Sequence, residues 1–233
     1  MRFTTALLEK IPRIGDVTTF RFDKPGSYEY RAGQWGVIDI PSTGGTLSHH
    51  FTHASSPTEP YLDITTHVRE TEFKKTLDRL QPGTEVQMKG PFGQFYLRDE
   101  HERAAFVTGG IGITPVRSIL RDLADSGAES PEIVVFYANR RLETAVYRDE
   151  LDALDDQLPF LEIIHVPSEP APDWQGQSGH IDRETITSVL ENPADWIFYL
   201  CGPPGMVKDM RELLRTLSIA NNAILAETFD GYE

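Results

Sequence analysis

Three glycines within four residues, Gly109, Gly110 and Gly112, run into Thr114 and Pro115, and no other stretch of the chain is better suited to chemistry. They follow Ala104-Ala105-Phe106-Val107-Thr108, an apolar run long enough for one buried strand, and lead into an amphipathic pattern that Pro115 can open as a helix. Backbone N–H groups left free at a helix start carry the positive end of its dipole and make an anion site of phosphate size. Glycine lets a pyrophosphate approach the backbone closely. The same residues also suit a plain strand-to-helix turn, so the rest of the chain decides between the two.

The chain has 233 residues, enough for one large or two small domains, and 39% hydrophobic and 10% aromatic residues provide for real cores. No apolar run reaches the ~18 residues of a membrane span. The N-terminal stretch meets charge too early for a signal peptide, so a cytoplasmic location is expected. One cysteine, Cys201, rules out an internal disulfide, a Cys-type zinc site or a Cys-ligated iron–sulfur cluster held by this chain alone, and no metal site is expected. Any iron–sulfur partner must be another protein. With 22 Lys and Arg against 36 Asp and Glu, the net charge of −14 repels nucleic acid and anionic lipid. Arg69, Lys74, Lys75, Arg79 and Lys89 nevertheless form a local positive region, for which a solvated helix face is the ordinary explanation.

Two kinds of pattern must position these residues. Up to about residue 98, short β-rich runs start at Val17, Gln34, Tyr61 and Glu85 with turn signals between them, which suggests a closed antiparallel barrel. One helix, Glu72 to Leu80 with Thr71 as its N-cap, interrupts them. A charged linker, Arg98 to Arg103, follows. Beyond it strands are expected at 104–108, 132–138, 161–166, 196–200 and 222–227, with helices near 115–126, 146–155, 183–191 and 205–217 between them. The expected class is β + α/β: an antiparallel β-barrel domain over 1–98, then a doubly wound parallel-sheet domain over 104–233. Such sheets place ligands at the carboxyl ends of their strands.

Five stretches stand out in this frame: Leu47-Ser-His-His-Phe-Thr-His-Ala-Ser-Ser-Pro57, Val68-Arg-Glu-Thr-Glu-Phe-Lys-Lys-Thr-Leu77, Lys89-Gly-Pro-Phe-Gly-Gln-Phe95, the glycine loop, and Tyr199-Leu-Cys-Gly-Pro-Pro-Gly-Met-Val207. In this order, across two such domains, the chain resembles the ferredoxin–NADP⁺ reductase-like flavoproteins, in either the flavodoxin/ferredoxin reductase or the flavin reductase branch. The ending Glu227-Thr-Phe-Asp-Gly-Tyr232 is similar to the family's C-terminus.

The resemblance implies FAD on the first domain and NAD(P)H as co-substrate on the second. For the flavin it implies Phe51 against the isoalloxazine ring, the Thr52 hydroxyl near N5, and His49 with His50 at the pyrophosphate. His49 stands where the family has Arg, and an imidazole is a weaker, pH-dependent substitute for a guanidinium fork. Free amides at Phe73 and Lys74 could compensate, with Thr66, His67 and Val68 leading into that segment. Gly90, Pro91, Gly93 and Phe95 form the loop ending the barrel, and Phe229 and Tyr232 can cover the flavin. For the nucleotide it implies Thr108, Gly109, Gly110, Gly112, Thr114 and Pro115 at the pyrophosphate, and Cys201 beside the nicotinamide with Gly202, Pro203, Pro204 and Met206. Thr52, Cys201 and Glu227 are the implied catalytic group, Glu227 as a proton donor.

Asn139 and Arg140, after the second strand of that domain, fall where a doubly wound fold holds the adenosine ribose. Arg140 and Arg141 offer charge to a 2′-phosphate, whereas no Ser or Thr precedes them and Glu143 is close. NADH and NADPH both stay open, with an inclination to NADPH. The resemblance further implies electrons passing to a one-electron carrier protein of ferredoxin or flavodoxin type, docked near Lys74, Lys75 and Arg79. The alternative is a reductase of free flavin or another small acceptor, which suits a loosely held flavin and the Trp174-Gln-Gly-Gln-Ser-Gly179 loop. A non-catalytic nucleotide-binding module would have little reason to keep Cys201, Thr52 and Glu227 together.

Overall fold

The computed structural model describes residues 1–69, 71–128 and 131–228. The chain forms two compact units, Met1–Tyr96 with Thr114–Ser126, and Leu97–Ile113 with Gly127–Glu233.

The first unit has six strands, β1 (Arg2–Pro12), β2 (Val17–Asp23), β3 (Trp35–Ser42), β4 (Gly45–Thr52), β5 (Tyr61–His67) and β6 (Glu85–Phe92), with helix α1 (Glu72–Arg79). They pair antiparallel in the order β4-β3-β6-β1-β2-β5. The ladder ends at β4 and β5, so the closed barrel that the turn spacing suggests is an open half-barrel. The chain leaves the sheet after Thr52, where Ser55-Ser56-Pro57 interrupts extended pairing. β1 carries no clean alternation because its register shifts between Leu7 and Glu9. Leu7, Phe20, Phe22, Ile38, Ile40 and Leu62 fill the core, and α1 buries Phe73 and Leu77 on it. The side chain of Thr71 caps α1, as its sequence position predicts.

Helix α2 (Ile113–Ser126) follows the glycine loop, and the sequence break at 98–104 predicts that it belongs to the second half. From Thr114 onward it packs with the first unit instead. The cause is a buried polar clamp: the Arg117 guanidinium donates to the Ala54 carbonyl at 2.9 Å and pairs with Glu59, while Ser118 Oγ donates to the Ser55 carbonyl at 2.6 Å.

The second unit is a five-stranded parallel sheet of β7 (Arg103–Gly109), β8 (Glu132–Asn139), β9 (Leu161–Pro167), β10 (Ile197–Gly202) and β11 (Ile224–Thr228), with α3 (Arg148–Gln157), α4 (Arg183–Val189) and α5 (Pro204–Thr216). The order β11-β10-β7-β8-β9 makes it doubly wound, as expected, because the chain builds outward from β7 in one direction and returns to the other side through β10. The order reverses between β7 and β10, and ligands of such sheets bind beyond the carboxyl ends of the strands at that point. Its central strands β7, β8 and β10 are buried almost throughout, with Phe106, Phe136, Phe198 and Leu200 fully so.

Candidate functional site

At the reversal point the second unit brings the fourth and fifth sequence stretches together. A side chain on Gly112 would place its Cβ 2.6 Å from the Cys201 carbonyl oxygen, and one on Gly109 would place it 2.8 Å from Met206 Sδ. Gly112 therefore needs glycine, because it meets backbone, whereas at Gly109 the neighbour is the movable end of the Met206 side chain. Gly110 has φ +54° with open space around its missing side chain, so here the backbone faces room and not a neighbour. On one flank the loop runs into α2 with Thr114 buried. On the other, Gly202, Pro203 and Pro204 lead into α5. Two helix starts thus lie after the two strands that flank the reversal, which is the arrangement an extended phosphate ligand uses.

Register sets a row of candidate side chains across the same strand ends. Thr108 on β7 is the partner of Cys201 on β10, and Cys201 is the partner of Glu227 on β11. No sequence spacing displays this row, because its members are up to 119 residues apart. Burial pushes the Cys201 thiol well above the usual range, with the Thr108 hydroxyl offsetting only part of the effect, so it stays protonated, which disfavours a nucleophilic role. Burial also pushes the Glu227 carboxyl up to about 7. The Asn139 amide nitrogen and Glu227 Oε2 are buried without a hydrogen-bond partner among the described residues. Buried polar atoms are rarely left unpaired, and two at one end of a sheet fit a site that a polar ligand completes. Arg140, next to Asn139, points an exposed guanidinium at Glu169, a partner that no local sequence signal marks.

In the first unit, alternation along β4 puts His49 and Phe51 on one face. Their rings stack with centroids 4.8 Å apart at 26°, and Phe73 of α1 lies 5.7 Å from Phe51 and 5.4 Å from His49. His50, on the opposite face, packs 5.5 Å from Trp35. Thr52 is buried and its hydroxyl has no hydrogen-bond partner among the described residues. A partly exposed stack of flat rings beside an orphaned hydroxyl fits a planar, hydrogen-bonding group such as a flavin ring.

The phosphate side is thinner than the resemblance implies. The Lys74 N–H, expected to be free, is taken by Thr71 Oγ1 at 3.3 Å, because Thr71 caps the helix. Burial lowers the Lys74 ammonium pKa, helped by nearby Arg69. His67 Nδ1 lies 2.6 Å from Asp16, the Val68 N–H donates to the Asp16 carbonyl, and Thr66 is buried. In the third stretch, Gly93 has φ +87° and lies on the Trp35 indole, Gly90 lies against the Tyr28 hydroxyl next to Pro91, and Phe95 is in the core.

Lys89 leaves the positive region, since its ammonium pairs with buried Asp39 at 2.7 Å. Lys75 and Arg79 line a groove of about 510 Å³ with Pro41, Ser42, Thr43, Thr76 and one carboxylate, Glu72. Phe229 and Tyr232 lie outside the described residues. Among the described residues no cluster of three His, Cys, Asp or Glu is placed to hold a metal ion, and no helix is long and apolar enough to cross a membrane.

Comparison with known proteins falls on both units. Residues 5–96 match the oxidoreductase FAD-binding domain family and residues 106–212 the oxidoreductase NAD-binding domain family. The chain is 32% identical over 157 residues to one component of the Na⁺-translocating NADH-quinone reductase of Marinomonas sp. (strain MWYL1), covering 65% of this chain and 38% of that protein. It is 27% identical over 228 residues to the stachydrine N-demethylase reductase component Stc4 of Rhizobium meliloti (strain 1021), covering 94% of this chain and 64% of that one. The chain thus spans only part of the length of these relatives. In fold it is similar to the cytochrome b5 reductase domain of Ulva prolifera nitrate reductase, with TM-score 0.84, 24% identity and 97% of each chain covered. It is also similar to a ferredoxin NADP⁺ reductase from Neisseria gonorrhoeae with bound FAD and NADP, with TM-score 0.83, 19% identity, and 97% of this chain and 98% of that one covered.

Proposed function

Because the chain belongs to the ferredoxin–NADP⁺ reductase-like family of FAD- and NAD-binding oxidoreductases, we propose that it takes hydride from NAD(P)H onto FAD and passes the electrons singly to a small carrier protein of ferredoxin or flavodoxin type. The observation that carries this reading is the row Thr108–Cys201–Glu227 at the strand ends of the second unit, beside a glycine loop shaped by Cys201 and Met206. FAD, when bound, supplies the chemistry that converts a two-electron donor into single-electron steps.

The chain's own residues do the rest. Phe51, flanked by His49 and Phe73, supplies a ring face, and the Thr52 hydroxyl a hydrogen bond that it does not otherwise make. The glycine loop and the start of α5 hold the nucleotide phosphates, while Cys201 walls the nicotinamide pocket. Glu227, titrating near neutrality, holds and releases a proton on a carboxyl group whose Oε2 has no hydrogen-bond partner among the described residues. Lys75 and Arg79 at the groove beside α1 are the docking cations for an acidic carrier, on a molecule whose net charge is −14.

A second reading, reduction of free flavin or another small acceptor, is favoured by one observation. His49 replaces a guanidinium and the Lys74 N–H is already capped, so few groups remain to hold a pyrophosphate. The experiment is to load the purified protein with FAD, record its absorbance, and measure NAD(P)H oxidation with ferricyanide, with a ferredoxin and with added free flavin. Flavin absorbance with ferredoxin reduction is expected, and Phe51→Ala should weaken FAD by about 1–3 kcal/mol. Turnover only with excess free flavin moves the reading to the second function. No FAD binding at all ends both.

A further inference from the structure

Beyond β8 and β9 the two segments that continue these strands stay zipped together. Asn139 and Pro167 are register partners, the Ser168 N–H donates to the Asn139 carbonyl at 2.9 Å, and the Glu169 N–H donates to the Arg140 carbonyl at 2.8 Å. The backbone therefore fixes Glu169 beside Arg140 whatever the side chains do. The side chains agree: Arg140 Nε donates to Glu169 Oε1 at 2.8 Å and Arg141 Nε to Oε2 at 3.2 Å. Each carboxylate oxygen is taken by a different arginine, so two cations share one built-in anion.

We propose that Glu169 sets the nucleotide preference of this chain: it stands where a ribose 2′-phosphate would have to bind, and so selects NADH over NADPH. The inference rests on the nucleotide-binding reading of the second unit given above. A 2′-phosphate brings nearly two negative charges to the arginine pair. It would have to displace the Glu169 carboxylate and then face it at close range, with Glu143 two residues from Arg141 adding to the repulsion. A free 2′-hydroxyl instead donates a hydrogen bond to the carboxylate and leaves the arginines paired. The sequence inclination to NADPH counted Arg140 and Arg141 without their anion. Neutralising Glu169 would leave two guanidiniums on a strand end that also carries the Ser168 hydroxyl, a set that suits a phosphate.

The test compares wild type with Glu169→Gln in two readouts. One is kcat/KM for NADH and NADPH with ferricyanide as acceptor. The other is calorimetric titration with adenosine 5′-monophosphate and adenosine 2′,5′-bisphosphate, which needs no turnover. Wild type should favour NADH, and the variant should move both ratios toward the 2′-phosphorylated ligand by about fivefold or more, a shift that adding Arg140→Ala and Arg141→Ala abolishes. Wild type favouring NADPH, or a smaller shift in the variant, overturns the inference while leaving the oxidoreductase reading in place. Failure of all four ligands to bind or react sinks the nucleotide-binding reading, and the inference with it.

Discussion

Cys201 and Glu227 are direct partners in the parallel register of β10 and β11, and burial holds the proton on both. For Glu227 the consequence is measurable as stability. Its carboxyl is pushed up to about 7, against 4.5 for an ordinary Glu. Between those values the folded chain keeps a proton that the unfolded chain gives up. Stability therefore falls as pH rises through that window, and the loss is complete above it, at about 3 kcal/mol. Glu227→Gln should remove this slope and be the more stable protein at pH 8. Urea denaturation at pH 5 and pH 8 checks it: equal pH dependence in the two proteins would show that Glu227 is solvated and titrates normally.

Arg117 and Glu59 form the opposite case, a buried pair whose members need each other. Burial pushes the Glu59 carboxyl up, but the Arg117 guanidinium more than offsets this and holds it below the usual range. Arg117→Met should strand that carboxylate and cost about 3–5 kcal/mol at pH 7. Acidification should then recover part of the loss, since a lone buried Glu59 takes up a proton readily. Replacing both residues with Met should restore most of the stability, because the desolvation of both charges disappears together. A single substitution costing under about 1 kcal/mol would mean the pair is as good as solvent-exposed.

What the sequence made legible was local. The glycine loop and the Cys201-Gly202-Pro203-Pro204 turn are contiguous, and the apolar runs and helix stripes of the second unit are each decided within a dozen residues. What stayed hidden came from partners distant in the chain. Helix α2 joins the first unit through Arg117 and Glu59, which are 58 residues apart. Lys89 looked free until Asp39 met it across the sheet, and β1 lost its alternation to a bulge. The row Thr108–Cys201–Glu227 depends on strand order, which hydrophobic periodicity does not encode. The Phe51 and Thr52 motif was readable only through resemblance, since by periodicity alone it is one more half-buried strand.

His53, the residue after Thr52, supplies a pH response of opposite sign. It is almost completely buried, its Nε2 lies 2.9 Å from the Tyr28 hydroxyl, and its Nδ1 has no partner. Burial, with a smaller contribution from Lys24, pushes its pKa down to about 3, whereas an unfolded histidine titrates near 6.5. Below pH 6.5 the unfolded chain binds a proton that the folded chain refuses, so stability falls as pH drops, by about 2 kcal/mol at pH 5. Over 4.5 to 6.5 this slope opposes that of Glu227, and the wild-type profile should be flatter there than either group alone would make it. His53→Phe should be less stable at pH 7, because the Tyr28 hydroxyl loses its partner, and this deficit should shrink as the pH falls. Its profile should nevertheless keep only the Glu227 slope, so that it gains stability on going from pH 7 to pH 5. Urea denaturation of wild type, His53→Phe and Glu227→Gln at pH 5, 6 and 7 separates the two contributions. A His53→Phe profile parallel to wild type would mean that the imidazole accepts a proton in the folded protein.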